Sequence, residues 1–181
     1  GFLLQRLLRH LGSDKLDHRL RRRDFRLQER DPVFPWVGSS LAELEQADAI
    51  VIVGSNLRRE APLIAHRVRK GVLRRGTRVA FVNPQPIDVL FPVEAQLTSN
   101  GYGMAQHLAA ILAAAVRISG KPLPAAVSPA LEGIVPTAEH ERVARMLTEG
   151  DLRLILLGAL AERHVAYSEI RAVAAALATV T

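Results

Sequence analysis

Residues 47–56 read ADAIVIVGSN and carry the strongest strand pattern in the chain. Ile50 to Val53 form an uninterrupted apolar, β-branched run that ends at Gly54. Such a run is typical of a parallel strand that is covered on both faces of its sheet. The stretch therefore predicts a buried central strand that is followed by a glycine-containing turn.

A helix and a second strand follow this first strand. The helix begins near Glu60, has Pro62 in its first turn, where proline is well tolerated, and ends at Gly76. RVAFVNPQP (78–86) then predicts a second strand. Strand, helix and strand in succession predict an α/β domain with a Rossmann-like, mostly parallel sheet flanked by helices.

The whole chain is expected to divide into three parts. These are a first α/β segment over 1–120, a linker or crossing loop over 121–136, and a second βα segment over 137–181. The second segment is expected either in the same sheet or as an incomplete second domain. The other predicted elements are a third buried strand over 151–158 and helices over 2–11, 41–46, 103–117, 137–150 and 161–177.

Composition limits the classes of protein and site. The chain has 181 residues, of which 49% are hydrophobic and 23% charged, a balance typical of a globular protein. It contains no cysteine, which excludes disulfides, thiolate zinc sites, iron–sulfur ligation and a cysteine nucleophile within it. No apolar run approaches the ~20 residues that a membrane span needs, so no direct membrane insertion is expected. Because the sequence starts at Gly1, we expect a fragment of a longer protein.

The net charge of +6 is unevenly distributed. Residues 1–78 carry 17 Lys and Arg against 9 Asp and Glu, whereas residues 79–181 carry 7 against 9. A basic half is typical of proteins that meet nucleic acid, anionic lipid or an acidic protein partner. Acidic residues interleave with the arginine run at 18–23 and few aromatic residues accompany it, which favours an ion-pair network or a protein interface.

Polar residues follow both predicted strands where they end. Gly54, Ser55 and Asn56 come after the first strand, and Asn83 and Pro84 close the second. In open parallel sheets, ligands bind in the crevice beyond the carboxyl ends of the strands. The first turn would suit a pyrophosphate, and the second strand end a nucleotide's sugar or base. The alternative is structural, because βα turns favour Gly, Ser and Asn for backbone geometry and proline ends strands.

No set of catalytic or metal-ligating residues is apparent. Gly101-Tyr102-Gly103 matches the start of the dinucleotide-binding G-x-G-x-x-G motif, but Gln106 replaces its last glycine and no strong strand precedes it. The six histidines lack the spacings of zinc sites, and neither a G-x-S-x-G elbow nor a phosphate-binding G-x-x-x-x-G-K-[ST] loop occurs. We therefore predict no catalytic residue and no metal site in this chain.

Three stretches of the chain, 11–26, 41–86 and 155–178, resemble a known family. The similarity rests on the words Asp17-His18-Arg19-Leu20, Arg23-Asp24-Phe25-Arg26, Gly54-Ser55-Asn56-Leu57-Arg58 and Glu60-Ala61-Pro62-Leu63. They are similar to the molybdopterin-oxidoreductase-like part of the large iron–sulfur subunit of bacterial NADH:quinone oxidoreductase, which is respiratory complex I.

The resemblance implies an α/β domain shared with formate dehydrogenases and dimethyl sulfoxide reductases. In those enzymes, the positions that match Gly54, Ser55, Asn56, Asn83 and Pro84 help to hold a molybdopterin guanine dinucleotide. In complex I this pocket is regarded as vestigial, so the resemblance implies no cofactor here and iron–sulfur clusters elsewhere in the subunit.

The resemblance also implies a role and a place in the cell. The chain would be a structural, subunit-docking part of an NADH dehydrogenase, with other subunits of the complex I peripheral arm as its partners. It would lie peripherally on the cytoplasmic side of the bacterial inner membrane. The alternative from the residues is an oxidoreductase domain whose pocket holds a nucleotide or molybdopterin dinucleotide. An arginine-driven nucleic-acid binder is a third hypothesis, and we expect no nucleic-acid partner.

Overall fold

Four parallel strands form one sheet in the computed structural model, which describes residues 1–16, 24–27, 29 and 38–181. Their order across the sheet is β3-β2-β1-β4, and every neighbouring pair is parallel. The predicted α/β class with a parallel sheet is confirmed. The strands are β1 (Ala49–Val53), β2 (Arg78–Asn83), β3 (Ala95–Thr98) and β4 (Arg153–Leu157).

Helices cover both faces of this sheet. No helix within the described ranges is both long and apolar enough to cross a membrane. The helices are α1 (Phe2–His10), α2 (Leu41–Gln46), α3 (Leu57–Glu60), α4 (Pro62–Arg75), α5 (Gly103–Ser119), α6 (Ala138–Glu149), α7 (Ala159–Glu162) and α8 (Tyr167–Val180), with a 3-10 helix over Ala125–Leu131.

The core lies in two layers because alternate side chains of β1 point to opposite faces of the sheet. Ile50 and Ile52 pack on one face with residues of α3 and α4. Val51 and Val53 pack on the other face with residues of α5, α6 and α8. All five residues of β1 are fully buried, as the run of β-branched residues predicts for a central parallel strand.

Local sequence explains where several helices begin and end. The Oγ of Ser40 accepts the N–H of Glu43 at 3.2 Å, and the Glu43 carboxylate accepts the N–H of Ser40 at 2.5 Å, which caps α2 at its start. Gly76 and Gly120 end α4 and α5 in the left-handed region, at φ 76° and 68°. These helix ends agree with the prediction.

The absence of a strand before Gly101-Tyr102-Gly103 was a wrong prediction, since β3 lies just before this motif. The strand has four residues, and only Ala95 and Leu97 are buried. Two apolar positions are too few to give a readable alternation. Parallel pairing with β2, in which Ala80 lies opposite Ala95, holds this edge strand in place.

β4 lies at the other edge of the sheet, beside β1, and its residues are only half-buried. The prediction of a buried strand over 151–158 is wrong in this respect, because an edge strand has a neighbour on one side only. Through β4, residues 137–181 join the same sheet as the first segment. The boundaries of the three predicted segments stay a prediction.

The helix predicted over 161–177 is two helices in the structure, α7 and α8. Between them, the Nδ1 of His164 accepts the N–H of Ala166 at 3.0 Å. In a continuous helix this N–H would donate to the carbonyl of Glu162 instead. The histidine side chain therefore replaces a helical hydrogen bond and separates the two helices.

Asp24 joins the N-terminal region to α8. Its carboxylate accepts the N–H of Ser168, in the first turn of α8, at 2.9 Å, and the Nε and Nη2 of Arg26 at 3.0 and 2.8 Å. The hydrogen bond from Arg26 holds the pKa of Asp24 well below its usual range, and the N–H of Ser168 acts in the same direction. Residues 17–23 and Arg30, which include the predicted arginine run and the Asp17-His18-Arg19-Leu20 word, lie outside the described residues.

Replacing Asp24 with asparagine is expected to lower the free energy of unfolding at neutral pH by about 1–2 kcal/mol, because a buried cap loses its charge. The pKa of Asp24 is lower in the folded than in the unfolded protein. Its contribution is therefore present above the unfolded value of ~3.9 and is lost as the pH falls below it. The difference between wild type and variant in urea unfolding should shrink between pH ~7 and pH ~3.

The control for Asp24→Asn is Asp151→Asn, which alters an exposed carboxylate on the same protein. This change should leave the free energy of unfolding within about 0.5 kcal/mol of wild type. An effect of Asp24→Asn that stays constant across the acidic range would contradict the assigned role of the carboxylate.

Candidate functional site

The turn after β1 packs directly against the turn after β4. The carbonyl of Gly54 accepts the N–H of Leu160 at 2.8 Å, and the N–H of Gly158 donates to the carbonyl of Val53 at 2.8 Å. Gly54 has φ 62°, and a methyl group at this position would lie 2.7 Å from the Cβ of Ala161. Glycine is therefore required so that the first turn of α7, rather than a ligand, can approach this backbone.

Asn83 at the end of β2 holds the backbone of Ser55. Its Oδ1 accepts the N–H of Ser55 at 2.9 Å, and its Nδ2 donates to the carbonyl of Ser55 at 3.1 Å. Both residues are only 2% exposed. The side-chain amide thus uses its carbonyl and its NH₂ group on one neighbouring residue, where a buried amide needs such partners.

Glu60 at the end of α3 places its carboxylate between the two turns. Oε2 accepts the hydroxyl of Ser55 at 2.8 Å and the N–H of Ala159 at 3.2 Å. Oε1 accepts the N–H of Asn56 at 3.1 Å. One carboxylate therefore receives three hydrogen bonds, two from the turn after β1 and one from the start of α7.

The position of Glu60 is the ligand crevice of this type of sheet. From β1 the strand order runs to β2 and β3 on one side and to β4 on the other. Ligands of open α/β sheets bind at such a switch point, beyond the carboxyl ends of the strands. Here the switch point lies between β1 and β4, and the Glu60 carboxylate bridges the two turns that border it.

A separate cleft of about 420 Å³ opens between the turn after β1 and the loop after β2. Arg58 closes one side of it by donating to the carbonyl of Asp88 at 3.1 Å. The Oδ1 of Asn56 is buried and has no hydrogen-bond partner among the residues that the structure describes. The residues that line the cleft are Asn56, Arg58, Arg59, Pro86, Ile87 and Asp88.

The predicted site residues thus fall into three groups. Ser55 and Asn83 contact each other, Gly54 contacts α7, and Asn56 alone lines the cleft. Pro84 is half-buried and is not among the lining residues of the cleft. The role of these five residues in binding a cofactor stays a prediction.

The residues that the sequence analysis missed are Glu60 in the crevice and Arg58, Arg59 and Asp88 in the cleft. A carboxylate that follows a glycine turn by several residues, at the start of a helix, is the signal for Glu60. No sequence signal pairs Arg58 with the loop after β2, because 30 residues separate it from Asp88.

Other titratable groups of the core act within the fold. The Nδ1 of His140 accepts the N–H of Thr137 at 3.0 Å, which leaves its Nε2 to face the Nδ1 of His107 at 2.9 Å. Burial lowers the pKa of His140, and the neighbouring His107 acts in the same direction. The pair joins α5 to α6. In the described part of the chain, no group of three or more His, Cys, Asp or Glu is placed to hold a metal ion.

Two comparisons identify what this chain is similar to. A family model described as molybdopterin oxidoreductase matches residues 1–180. Among curated relatives, the second G-type subunit of the NADH-quinone oxidoreductase of Rhizobium meliloti (strain 1021) is 26% identical over 136 residues. This match covers 68% of the present chain and 15% of the relative, so the chain spans only a small part of that protein's length.

Proposed function

The chain belongs to the molybdopterin oxidoreductase family, and on that premise we propose that it is a structural, subunit-docking part of a bacterial NADH:quinone oxidoreductase. The similarity to a G-type subunit of such an enzyme supports this assignment. In this proposal the chain contributes to an NADH dehydrogenase without catalytic residues of its own. Electrons pass through iron–sulfur clusters held outside these residues, because the chain has no cysteine to ligate them.

The observation that carries the docking role is the outer face of α4. Leu63 and Leu73 on this face are 73% and 56% exposed. Arg69, Arg74 and Arg75 are exposed as well, and α4 contains no acidic residue. Exposed leucines among arginines are typical of protein interfaces, which favour arginine and apolar residues over lysine and acidic residues.

Two further cations of α4 are already neutralised within the chain. Arg67 and Lys70 both form ion pairs with Glu45 of α2, and the hydrogen bond from Lys70, then that from Arg67, lowers the pKa of Glu45 to about 2. Glu45 therefore stays ionised at neutral pH. The exposed arginines remain for a partner, and we expect an acidic surface with apolar contacts on a neighbouring subunit of the peripheral arm.

The proposal includes three further expectations. The chain holds no metal and no molybdopterin cofactor, it has no nucleic-acid partner, and it lies peripherally on the cytoplasmic side of the inner membrane. Iron and molybdenum analysis of the purified protein tests the first. Stoichiometric metal would contradict it.

The double variant Leu73→Ser with Arg74→Glu tests the docking role. It should weaken association of this subunit with its complex about 30-fold or more, because a central apolar and arginine contact is lost and a charge is reversed. The variant is introduced into the bacterial gene. Native gels of the assembled complex and NADH:quinone oxidoreductase activity of the membranes are then measured.

The matched control is Val135→Ser with Arg145→Glu, which changes an exposed valine and an exposed arginine outside α4. It alters charge and apolar surface to the same extent and should leave assembly unchanged. Normal assembly of the α4 variant, or equal loss in both variants, would contradict docking through α4.

A further inference from the structure

We propose that Glu60 closes the ligand crevice of this sheet as an internal anion, in the place where the pyrophosphate of a dinucleotide would bind. The inference extends the proposed absence of a cofactor and is independent of docking through α4. It rests on the hydrogen bonds of one carboxylate, on the packing of two turns and on the charge that the crevice holds.

The donors in the crevice are those that an anion requires. The hydroxyl of Ser55 and the N–H groups of Asn56 and Ala159 all point to the Glu60 carboxylate, at 2.8, 3.1 and 3.2 Å. Backbone N–H groups at the carboxyl ends of parallel strands are the groups that bind phosphate in related sheet architectures. Glu60 takes these donors for itself, from both sides of the switch point.

The packing of the two turns leaves no space beside the carboxylate. A methyl group at Gly158 would lie 2.7 Å from the carbonyl oxygen of Gly54 and 2.8 Å from the Oγ of Ser55. The backbones of the two turns are therefore in direct contact. A pyrophosphate could enter only if Glu60 left and α7 moved away from Gly54.

The remaining polar groups of the turn do not favour an anion either. Asn83 uses both ends of its amide on the backbone of Ser55. The free polar atom nearby is the Oδ1 of Asn56, an acceptor that repels phosphate oxygens. The dinucleotide cofactor of the family therefore does not fit the residues of this crevice.

The test uses Glu60→Ala and Glu60→Gln in the purified 181-residue protein. Glu60→Ala frees the three donors, so it should bind inorganic pyrophosphate saturably in calorimetry, whereas wild type should not. In both variants, NMR hydrogen exchange at the N–H groups of Asn56 and Ala159 should accelerate about tenfold, since a charged acceptor is lost. Glu60→Gln keeps the side-chain volume and gives this second readout if Glu60→Ala does not fold.

Glu132→Gln is the matched control, because it removes the same charge from an exposed position outside the crevice. It should change neither pyrophosphate binding nor exchange at the two N–H groups. Three results would overturn the proposal: pyrophosphate binding to wild type that shifts the Asn56 and Ala159 signals, unchanged exchange in both Glu60 variants, or no pyrophosphate binding by folded Glu60→Ala. Failure of the α4 variants would leave these measurements unaffected, so the two proposals fail separately.

Discussion

Replacing Gly54 with alanine is expected to lower the free energy of unfolding by about 3–4 kcal/mol, through left-handed strain and a steric clash together. The residue has φ 62°, and the added methyl group would lie 2.7 Å from the Cβ and 2.8 Å from the Cα of Ala161. The backbone of Ala161 cannot give way without separating β1 from α7. Urea unfolding at neutral pH measures the loss, and an unfolded variant would agree with it.

Gly120→Ala separates strain from clash. Gly120 has nearly the same backbone, at φ 68°, but a methyl group there would have no atom within 4 Å. We expect this control to cost about 1 kcal/mol, the strain alone. Equal losses in the two variants would contradict the close packing of α7 on the turn after β1.

The central part of the fold is predictable from the sequence because local and tertiary preferences agree there. The run from Ile50 to Val53 is apolar and β-branched, and the strand is buried on both faces. Gly76 and Gly120 end helices in a conformation that glycine adopts most readily. Where one residue serves both local geometry and packing, the pattern is readable.

The edges of the sheet are less predictable because pairing, rather than composition, forms them. β3 has only two buried residues, and its partner β2 supplies the order. β4 has the apolar composition of a buried strand yet lies at an edge. Its sequence does not encode how many neighbours it has.

The candidate site was predictable in position but not in its contacts. The polar residues after β1 and β2 do meet, since Asn83 contacts Ser55. Glu60 could not be assigned to the crevice, because its third donor, Ala159, is 99 residues away in the sequence. Similar strand–glycine–helix stretches precede Glu60 and Glu162, and the pairing of β1 with β4 brings their two turns together.

Replacing Asn83 with alanine is expected to lower the free energy of unfolding by about 2–4 kcal/mol, because two buried backbone groups lose their partners. These are the N–H and the carbonyl of Ser55, in a residue that is 2% exposed. Urea unfolding of the variant at neutral pH gives the value. The loss should appear without any added ligand, since the amide acts on the protein itself.

Gln96→Ala is the control, because Gln96 binds the N–H and the carbonyl of Ile87 in the same way, at 2.7 and 3.1 Å. The Gln96 side chain is only half-buried, so water can replace its amide, and we expect a loss of about 1 kcal/mol. The difference between the two variants therefore measures what burial adds to one and the same pair of hydrogen bonds. If Asn83→Ala cost no more than Gln96→Ala, the turn after β1 would be open to solvent, and its polar groups would be free for a ligand after all.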